Sequence, residues 1–122
     1  MMSEHSEQVA VIQWKNMLQN RHIELGLLFA VPNGGLRNRM VAIKLKAEGV
    51  QPGVPDLILP VARKGYHGLV IEMKFGDNKL TLEQRWWMEA LATQGYLTVT
   101  CHSADEAIMI LCDYLGIEDA YA

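Results

Sequence analysis

The spacing of apolar and polar residues predicts four helices along the chain. Apolar positions three and four residues apart predict an amphipathic helix over residues 3–19. A second helix is predicted over residues 36–48, because a glycine follows as a C-terminal stop. Capping patterns of the Ser/Thr-x-x-Glu/Gln type begin two further helices, over residues 81–93 and 103–115.

Four short apolar runs lie between these helices and predict β-strands. They cover residues 25–31, 56–61, 69–75 and 96–101. The second and third runs are separated by a short glycine-containing turn, which predicts an antiparallel hairpin. The order α-β-α-β-β-α-β-α, with a crossover helix before the last strand, predicts an α/β fold in which helices flank a mixed β-sheet.

Composition indicates a single compact domain over residues 1–122. Half of the residues are hydrophobic and 20% are charged, which is typical of a globular protein. No apolar run approaches the ~20 residues that cross a bilayer, and the N-terminus lacks the order of a signal peptide. Cys101 and Cys112 lie in apolar contexts, so we expect reduced core thiols in a cytoplasmic protein without a membrane partner.

Charge is distributed unevenly, although the net charge is only −3. Residues 31–85 hold nine of the eleven Lys and Arg against five acids, whereas residues 86–122 hold six acids and no Lys or Arg. A basic region opposite an acidic one suits a polyanionic substrate such as nucleic acid. A solvated mixed surface explains the charges about equally well on this evidence.

Two acids and a lysine lie at the ends of adjacent predicted strands. Asp56 begins the second strand after Pro52-Gly53-Val54-Pro55, and Glu72-Met73-Lys74 lies near the end of the third. Carboxylates and a main-chain carbonyl, that of Met73, are the hard oxygen ligands that Mg²⁺ or Mn²⁺ prefers. A cation held there can polarise a phosphodiester and activate water. Lys74 can orient that water, neutralise transition-state charge or act as a base.

Each of these residues also has an ordinary interpretation. Glu-x-Lys at a strand end is commonly a surface ion pair that contributes under ~1 kcal/mol. An aspartate after proline is commonly a turn residue. Strand alternation places Glu72 and Lys74 on one face and Met73 on the other. The joint occurrence of the three charges on one hairpin favours the functional interpretation.

The motifs together resemble a known nuclease family. Pro32-Asn33-Gly34-Gly35, the Pro52–Asp56 segment, Glu72-Met73-Lys74 and Gln84 are similar to the virus-type replication–repair nuclease (VRR-NUC) family. That family belongs to the PD-(D/E)xK superfamily, so the resemblance implies a restriction-endonuclease-like core. It covers nearly the whole chain, which indicates a stand-alone member of bacterial or phage type.

The resemblance also implies roles for individual residues. Asp56 and Glu72 would bind the metal, and Lys74 would be the superfamily lysine. Glu7 on the first helix would approach the same site and bind the metal directly or through water. Gln84 matches the active-site glutamine of the superfamily. Two of these have alternatives, because Glu7 can be an acid favoured by the helix dipole and Gln84 is already the third residue of a capping box.

The expected DNA contacts lie mainly in the basic segment. Backbone N–H groups of Asn33, Gly34 and Gly35 can receive a phosphate at the start of the following helix, although they can also form a plain turn. The basic residues expected to follow the phosphate backbone are Arg37, Arg39, Lys44, Lys46 and Lys79.

The expected function is a Mg²⁺- or Mn²⁺-dependent endonuclease that cuts branched DNA such as Holliday junctions in DNA repair. The resemblance implies a homodimer, and twofold symmetry suits paired incisions in two strands. A catalytically silent DNA-binding or adaptor protein with the same fold is the alternative from another class. A small-molecule phosphohydrolase is a third hypothesis, which the basic segment disfavours.

Overall fold

The computed structural model describes residues 2–32 and 38–121. The helices in these ranges are α1 (Glu4–Leu18), a 3₁₀ helix (Ile23–Leu27), α2 (Arg39–Ala47), α3 (Leu82–Thr93) and α4 (Ala104–Leu115). The strands are β1 (Phe29–Ala30), β2 (Leu57–Leu59), β3 (Leu69–Met73) and β4 (Leu97–Cys101). The predicted order of helices and strands, and with it the α/β fold class, is confirmed.

The four strands form one mixed sheet in the order β1-β2-β3-β4. β1 pairs with β2 and β2 pairs with β3 in antiparallel fashion, so the predicted hairpin is present. β4 runs parallel to β3 because α3 crosses over between them. Since β3 lies between β2 and β4, its residues are covered by neighbours on both edges.

The two faces of the sheet differ in composition because side chains alternate along each strand. One face carries Leu57, Leu59, Leu69 and Ile71, all fully buried in the main core. Helices α1 and α4 contribute much of the remaining core through Val11, Trp14, Leu18, Ala107, Ile108 and Leu111. The opposite face carries the charged residues that the sequence singled out.

Two hydrogen bonds between residues far apart in the sequence tie the helices to the rest of the chain. Trp14 Nε1 donates to the Ala120 carbonyl at 2.6 Å, and the Tyr114 hydroxyl donates to the Val61 carbonyl at 2.6 Å. Both side chains are buried, so these bonds satisfy polar groups that would otherwise be costly inside the core. They fix α1 and α4 against one face of the sheet and leave the opposite face to α3.

The predicted helix caps are present, with one difference in detail. Thr81 caps α3 and Ser103 caps α4, where the Ser103 hydroxyl accepts from the Glu106 N–H at 3.1 Å. The Glu106 carboxylate accepts instead from the His102 N–H at 3.3 Å, one residue before the expected partner. The cap therefore also fixes the backbone where β4 passes into α4. Ser3 caps α1, which was not predicted.

The strand predicted over residues 25–31 is largely wrong. Its first part forms the 3₁₀ helix, and only Phe29–Ala30 pair as a strand. Leu25 and Leu28 are buried whereas Leu27 is exposed. In a 3₁₀ helix, residues three positions apart, such as Leu25 and Leu28, lie on the same side and can both face the core. A strand alternates every two residues and would have buried Leu27 together with Leu25.

Helix α2 is confirmed over Arg39–Ala47, but it packs differently from the other helices. None of its residues is buried, and Met40 and Ile43 are exposed. The predicted first residues of this helix, 36 and 37, lie outside the described residues. An apolar surface of this kind has no partner within the parts of the chain that the structure describes.

The cysteines are free thiols, as predicted. Burial, and then the charge of Glu106, raises the pKa of Cys101 to about 12, so this thiol is unreactive at neutral pH. In residues 2–32 and 38–121, no helix has the length and apolar character needed to span a membrane.

Candidate active site

The predicted acids lie side by side on the face of the sheet away from the main core. The antiparallel register pairs Leu57 with Ile71, so Asp56 stands opposite Glu72 on the other face. The Asp56 carboxylate accepts a hydrogen bond from the Met73 N–H at 2.8 Å. This bond fixes the orientation of Asp56. Its donor, the Met73 N–H, lies just beyond the part of β3 that pairs with β2.

A third carboxylate completes a cluster. Glu4, Asp56 and Glu72 each place one carboxylate oxygen within 4.8 Å of the others. Oxygen atoms of three acids at this separation are the donor set that a hard divalent cation prefers. Glu72 Oε1 is buried and has no hydrogen-bond partner among the described residues, which fits an oxygen reserved for a cation.

The electrostatics of Glu72 point in the same direction. Burial raises the pKa of Glu72 to about 9, the neighbouring Asp56 adds to the rise, and Lys74 opposes it. Without a cation the Asp56–Glu72 pair therefore retains a proton at neutral pH. A divalent cation would remove the repulsion between the carboxylates and favour the ionised form.

Lys74 lies next to this cluster, on the same face as Glu72. Its Nζ is 4.0 Å from Glu72 Oε2, and the residue is only 7% exposed. The backbone continues the β3–β4 pairing here, because the Lys74 N–H donates to the Cys101 carbonyl at 2.8 Å. A nearly buried ammonium held by a strand beside three carboxylates is poorly explained as a surface ion pair.

Glu7 does not join the cluster that the resemblance implied for it. Its carboxylate is buried and accepts from the Ala104 N–H at 3.2 Å, at the first residue of α4. An acid at this position satisfies an unpaired helix donor and the positive end of the α4 dipole. Glu4, one helical turn before Glu7, is the residue of α1 that lies beside Asp56 and Glu72. The signal in the sequence was the i, i+3 spacing, which places both acids on one side of α1.

Gln84 lies at the start of α3 and forms the capping box with Thr81. Its Oε1 accepts from the Thr81 N–H at 2.9 Å, and the Gln84 N–H donates to the Thr81 hydroxyl at 3.2 Å. The amide oxygen is thus engaged in capping. A catalytic role for Gln84 stays a prediction, as does metal ligation by the Met73 carbonyl.

The loop before Asp56 packs tightly against α3. Gly53 has φ +85°, and a Cβ on it would lie 2.7 Å from the Glu83 Cβ. The Trp87 indole donates to the Pro52 carbonyl at 3.1 Å. Only glycine fits this close approach, so the Pro-Gly-Val-Pro segment is the support that delivers Asp56 to the site.

The predicted DNA-contact residues are exposed where they are described. Arg39, Lys44 and Lys46 lie on α2, and Lys79 lies in the loop after β3. Asn33, Gly34, Gly35 and Arg37 fall outside the described residues, so the expected phosphate-binding turn stays a prediction.

Comparisons with known proteins identify the family. A profile of the VRR-NUC domain matches residues 2–105, a range that contains all three carboxylates and Lys74. A solved structure named VRR_NUC domain protein has a TM-score of 0.77 and 30% sequence identity, with 97% of this chain and 92% of that chain covered. A comparison with curated proteins finds no match. A nuclease-type domain implies DNA as substrate and suggests a metal cofactor. The resemblance noted in the motifs is confirmed, and the chain belongs to the VRR-NUC family.

Proposed function

We propose that this protein is a Mg²⁺- or Mn²⁺-dependent DNA endonuclease. The observation that carries the proposal is the group of three carboxylate oxygens within 4.8 Å of one another, around the buried Glu72 and beside Lys74. The family supplies the nuclease-type fold, and this donor set supplies a place for the chemistry.

The roles of the residues follow from their positions. Glu4, Asp56 and Glu72 would hold the cation, and the Met73 N–H holds Asp56 in place for it. A bound divalent cation supplies Lewis acidity and lowers the pKa of a bound water. Lys74, nearly buried next to Glu72, orients the attacking water and neutralises charge that develops on the phosphate.

Gln84 and the Met73 carbonyl are further members of the proposed site. The Gln84 Oε1 is held by the Thr81 N–H, so only its amide NH₂ is free to orient a phosphate or water. Met73 is the residue between Glu72 and Lys74, so its carbonyl lies on the strand that carries both. The free amide NH₂ and the position of this carbonyl next to Glu72 support the two assignments, and the carbonyl would add one oxygen to the three carboxylates.

Branched DNA and a homodimer belong to the same proposal. Two apolar residues of α2, Met40 and Ile43, are 80% and 59% exposed, and Trp86 of α3 is 61% exposed. Large apolar side chains exposed on α2 and on α3 support a protein interface, and a second copy would place two active sites against two strands. Selectivity would then come from DNA shape and bending rather than base contacts.

A panel of labelled substrates tests the proposal. Duplex, flap, splayed-arm and four-way DNA are incubated with the protein in Mg²⁺, in Mn²⁺ and in EDTA, beside the Asp56→Asn variant. We expect cleavage with either metal, strongest on the four-way substrate, and none in EDTA or with the variant. Cleavage that persists in EDTA, or at near wild-type rate in the variant, would show that the assigned cluster does not carry the activity.

A further inference from the structure

A cleft of about 450 Å³ opens between β4, the N-terminal part of α3 and the loop that follows Lys74. Its volume lies in the range of ligand-binding clefts in proteins. The lining residues come from three separate parts of the chain and are Gly76, Asp77, Asn78, Lys79, Leu80, Arg85, Thr100 and His102.

The cleft lies next to the carboxylate cluster, one strand away. The parallel register pairs Thr100 with Glu72, so the two side chains stand on the same face of the sheet. His102 follows two residues later and lines the cleft from that face as well. A strand of DNA with one phosphate at the carboxylates would therefore carry a neighbouring phosphate past this cleft.

The donors in the cleft are not used by the rest of the described chain. Among residues 2–32 and 38–121, neither Lys79 nor Arg85 has an ion-pair or hydrogen-bond partner for its charged group. Asp77 is the one carboxylate that the described residues contribute to the lining against these two cations. Among the described lining residues the cations outnumber the carboxylates, which favours an anionic ligand.

The Nε2 nitrogen of His102 is a further donor in the cleft, as the surroundings of its Nδ1 nitrogen indicate. His102 Nδ1 is buried and has no hydrogen-bond partner among the described residues. A buried N–H without a partner is rarer than a buried acceptor without one, so Nε2 is the ring nitrogen that carries a hydrogen and can donate. That nitrogen and the Thr100 hydroxyl are then available to an anion in the cleft.

We propose that this cleft binds a backbone phosphate of the substrate strand, next to the phosphate that is cut. The proposal rests on the proposed function and extends it, because Arg85, Thr100 and His102 become substrate-binding residues. Arg85 offers the planar fork that matches phosphate oxygens, and Lys79 offers a point charge. Apart from the imidazole, none of the described residues that line the cleft is aromatic, so stacking on a base is not its chemistry.

Salt dependence of DNA binding is the first test. Arg85→Gln and Lys79→Gln are made in an Asp56→Asn background, and binding of a labelled four-way junction is titrated over a range of salt. Each variant should make the negative slope of log affinity against log salt shallower by about 1, as loss of one phosphate contact does. The matched control is Arg21→Gln, at an exposed arginine in the turn that follows the C-terminal end of α1, the end away from Glu4.

A second test identifies the phosphate. Junctions are prepared with one phosphate at a time replaced by a neutral methylphosphonate. In the background protein, one position near the scissile phosphate should weaken binding about tenfold. In Arg85→Gln that same replacement should have a clearly smaller effect, because the charge it removes has already lost one of its two cationic partners and only Lys79 remains. A merely structural role for Arg85 would leave the two effects additive.

The outcomes separate this proposal from the proposed function. If Arg85→Gln matches Arg21→Gln in salt slope, or if the protein binds none of the DNA substrates, the assignment of a phosphate to this cleft is overturned. If the slope and the methylphosphonate effect change as expected but no substrate is cut, the cleft stands and the nuclease proposal fails. Thermal unfolding of each variant confirms that the fold is intact.

Discussion

The two faces of β3 use the same five-residue strand for opposite purposes. Leu69, Ile71 and Met73 point into the main core, whereas Val70 and Glu72 point to the other face, where Lys74 follows. All five residues of the strand are buried to nearly the same extent. Burial alone therefore does not distinguish packing from chemistry, and the chemical nature of the buried group does.

The contrast has an energetic meaning. An apolar side chain that is fully removed from water stabilises the fold by about 1.5–3 kcal/mol. A carboxylate in the same degree of burial is destabilising unless it is protonated or paired with a cation. The core face of β3 thus stabilises the protein, and the Glu72 face maintains a costly arrangement whose purpose is function.

The largest effect is expected from Glu72→Gln. This change keeps the side-chain volume and removes the charge that would bind the cation. Cleavage should fall by at least about 10³-fold, since loss of metal-derived stabilisation is worth several kcal/mol in the transition state. The unfolding temperature of the metal-free protein should stay the same or rise. Steady-state cleavage and calorimetry measure the two quantities on one preparation.

Ile71→Ala is the control on the neighbouring residue of the same strand. It should lower the free energy of unfolding by about 2–5 kcal/mol, because a fully buried isoleucine leaves a cavity. The folded fraction should still cut DNA at a rate within a few-fold of wild type. If Ile71→Ala removed activity without loss of stability, or Glu72→Gln strongly destabilised the metal-free protein, the division between the two faces would be wrong.

A smaller effect on cleavage is expected from replacing each of the two acids of α1 by glutamine in turn. Glu4→Gln should reduce cleavage and weaken Mn²⁺ binding about 10- to 100-fold, because one of three ligand oxygens loses its charge. Glu7→Gln should instead lower the free energy of unfolding by about 0.5–2 kcal/mol through the weakened cap of α4. Mn²⁺ titration by electron paramagnetic resonance and thermal unfolding give the two readouts. The reverse pattern would return Glu7 to the metal site.

Much of the fold follows from local signals in the sequence. Capping residues fix the starts of α1, α3 and α4 within a residue, since Ser3, Thr81 and Ser103 each accept a backbone hydrogen bond from the first turn. The alternation of side chains along a strand likewise places Glu72 and Lys74 on one face. Both signals depend on neighbours within a few positions along the chain, which a sequence displays directly.

Other features depend on contacts between distant residues and could not be predicted in this way. Glu4 and Glu7 share one side of α1, and the choice between them depends on where the first turn of α4 is placed, 97 positions beyond Glu7. The phosphate cleft depends on the parallel pairing that brings Thr100 opposite Glu72. The 3₁₀ helix over Ile23–Leu27 was missed because short apolar runs fit both periodicities.

The response of stability to pH isolates the electrostatics of the Glu72 face, because it requires no change to the catalytic machinery. The pKa of Glu72 is raised from 4.5 to about 9 by burial and by Asp56. A raised carboxyl pKa gives a contribution that is complete below pH 4.5 and is lost as pH rises toward 9, because the unfolded chain releases a proton that the folded chain retains. Metal-free protein should therefore lose up to about 1.4 kcal/mol of stability per pH unit between about pH 5.5 and 8.5.

The variant and the metal sharpen this measurement. Glu72→Gln has no proton to release at this position, so its stability should depend less on pH by the same amount. Added Mg²⁺ or Mn²⁺ should stabilise wild type more at about pH 8.5 than at about pH 5.5, because binding must displace the proton that the Asp56–Glu72 pair retains. Denaturant unfolding at each pH measures both differences. Parallel pH curves for wild type and Glu72→Gln would mean that the buried carboxylate is ionised without a cation, and the energetic contrast between the two faces of β3 would then disappear.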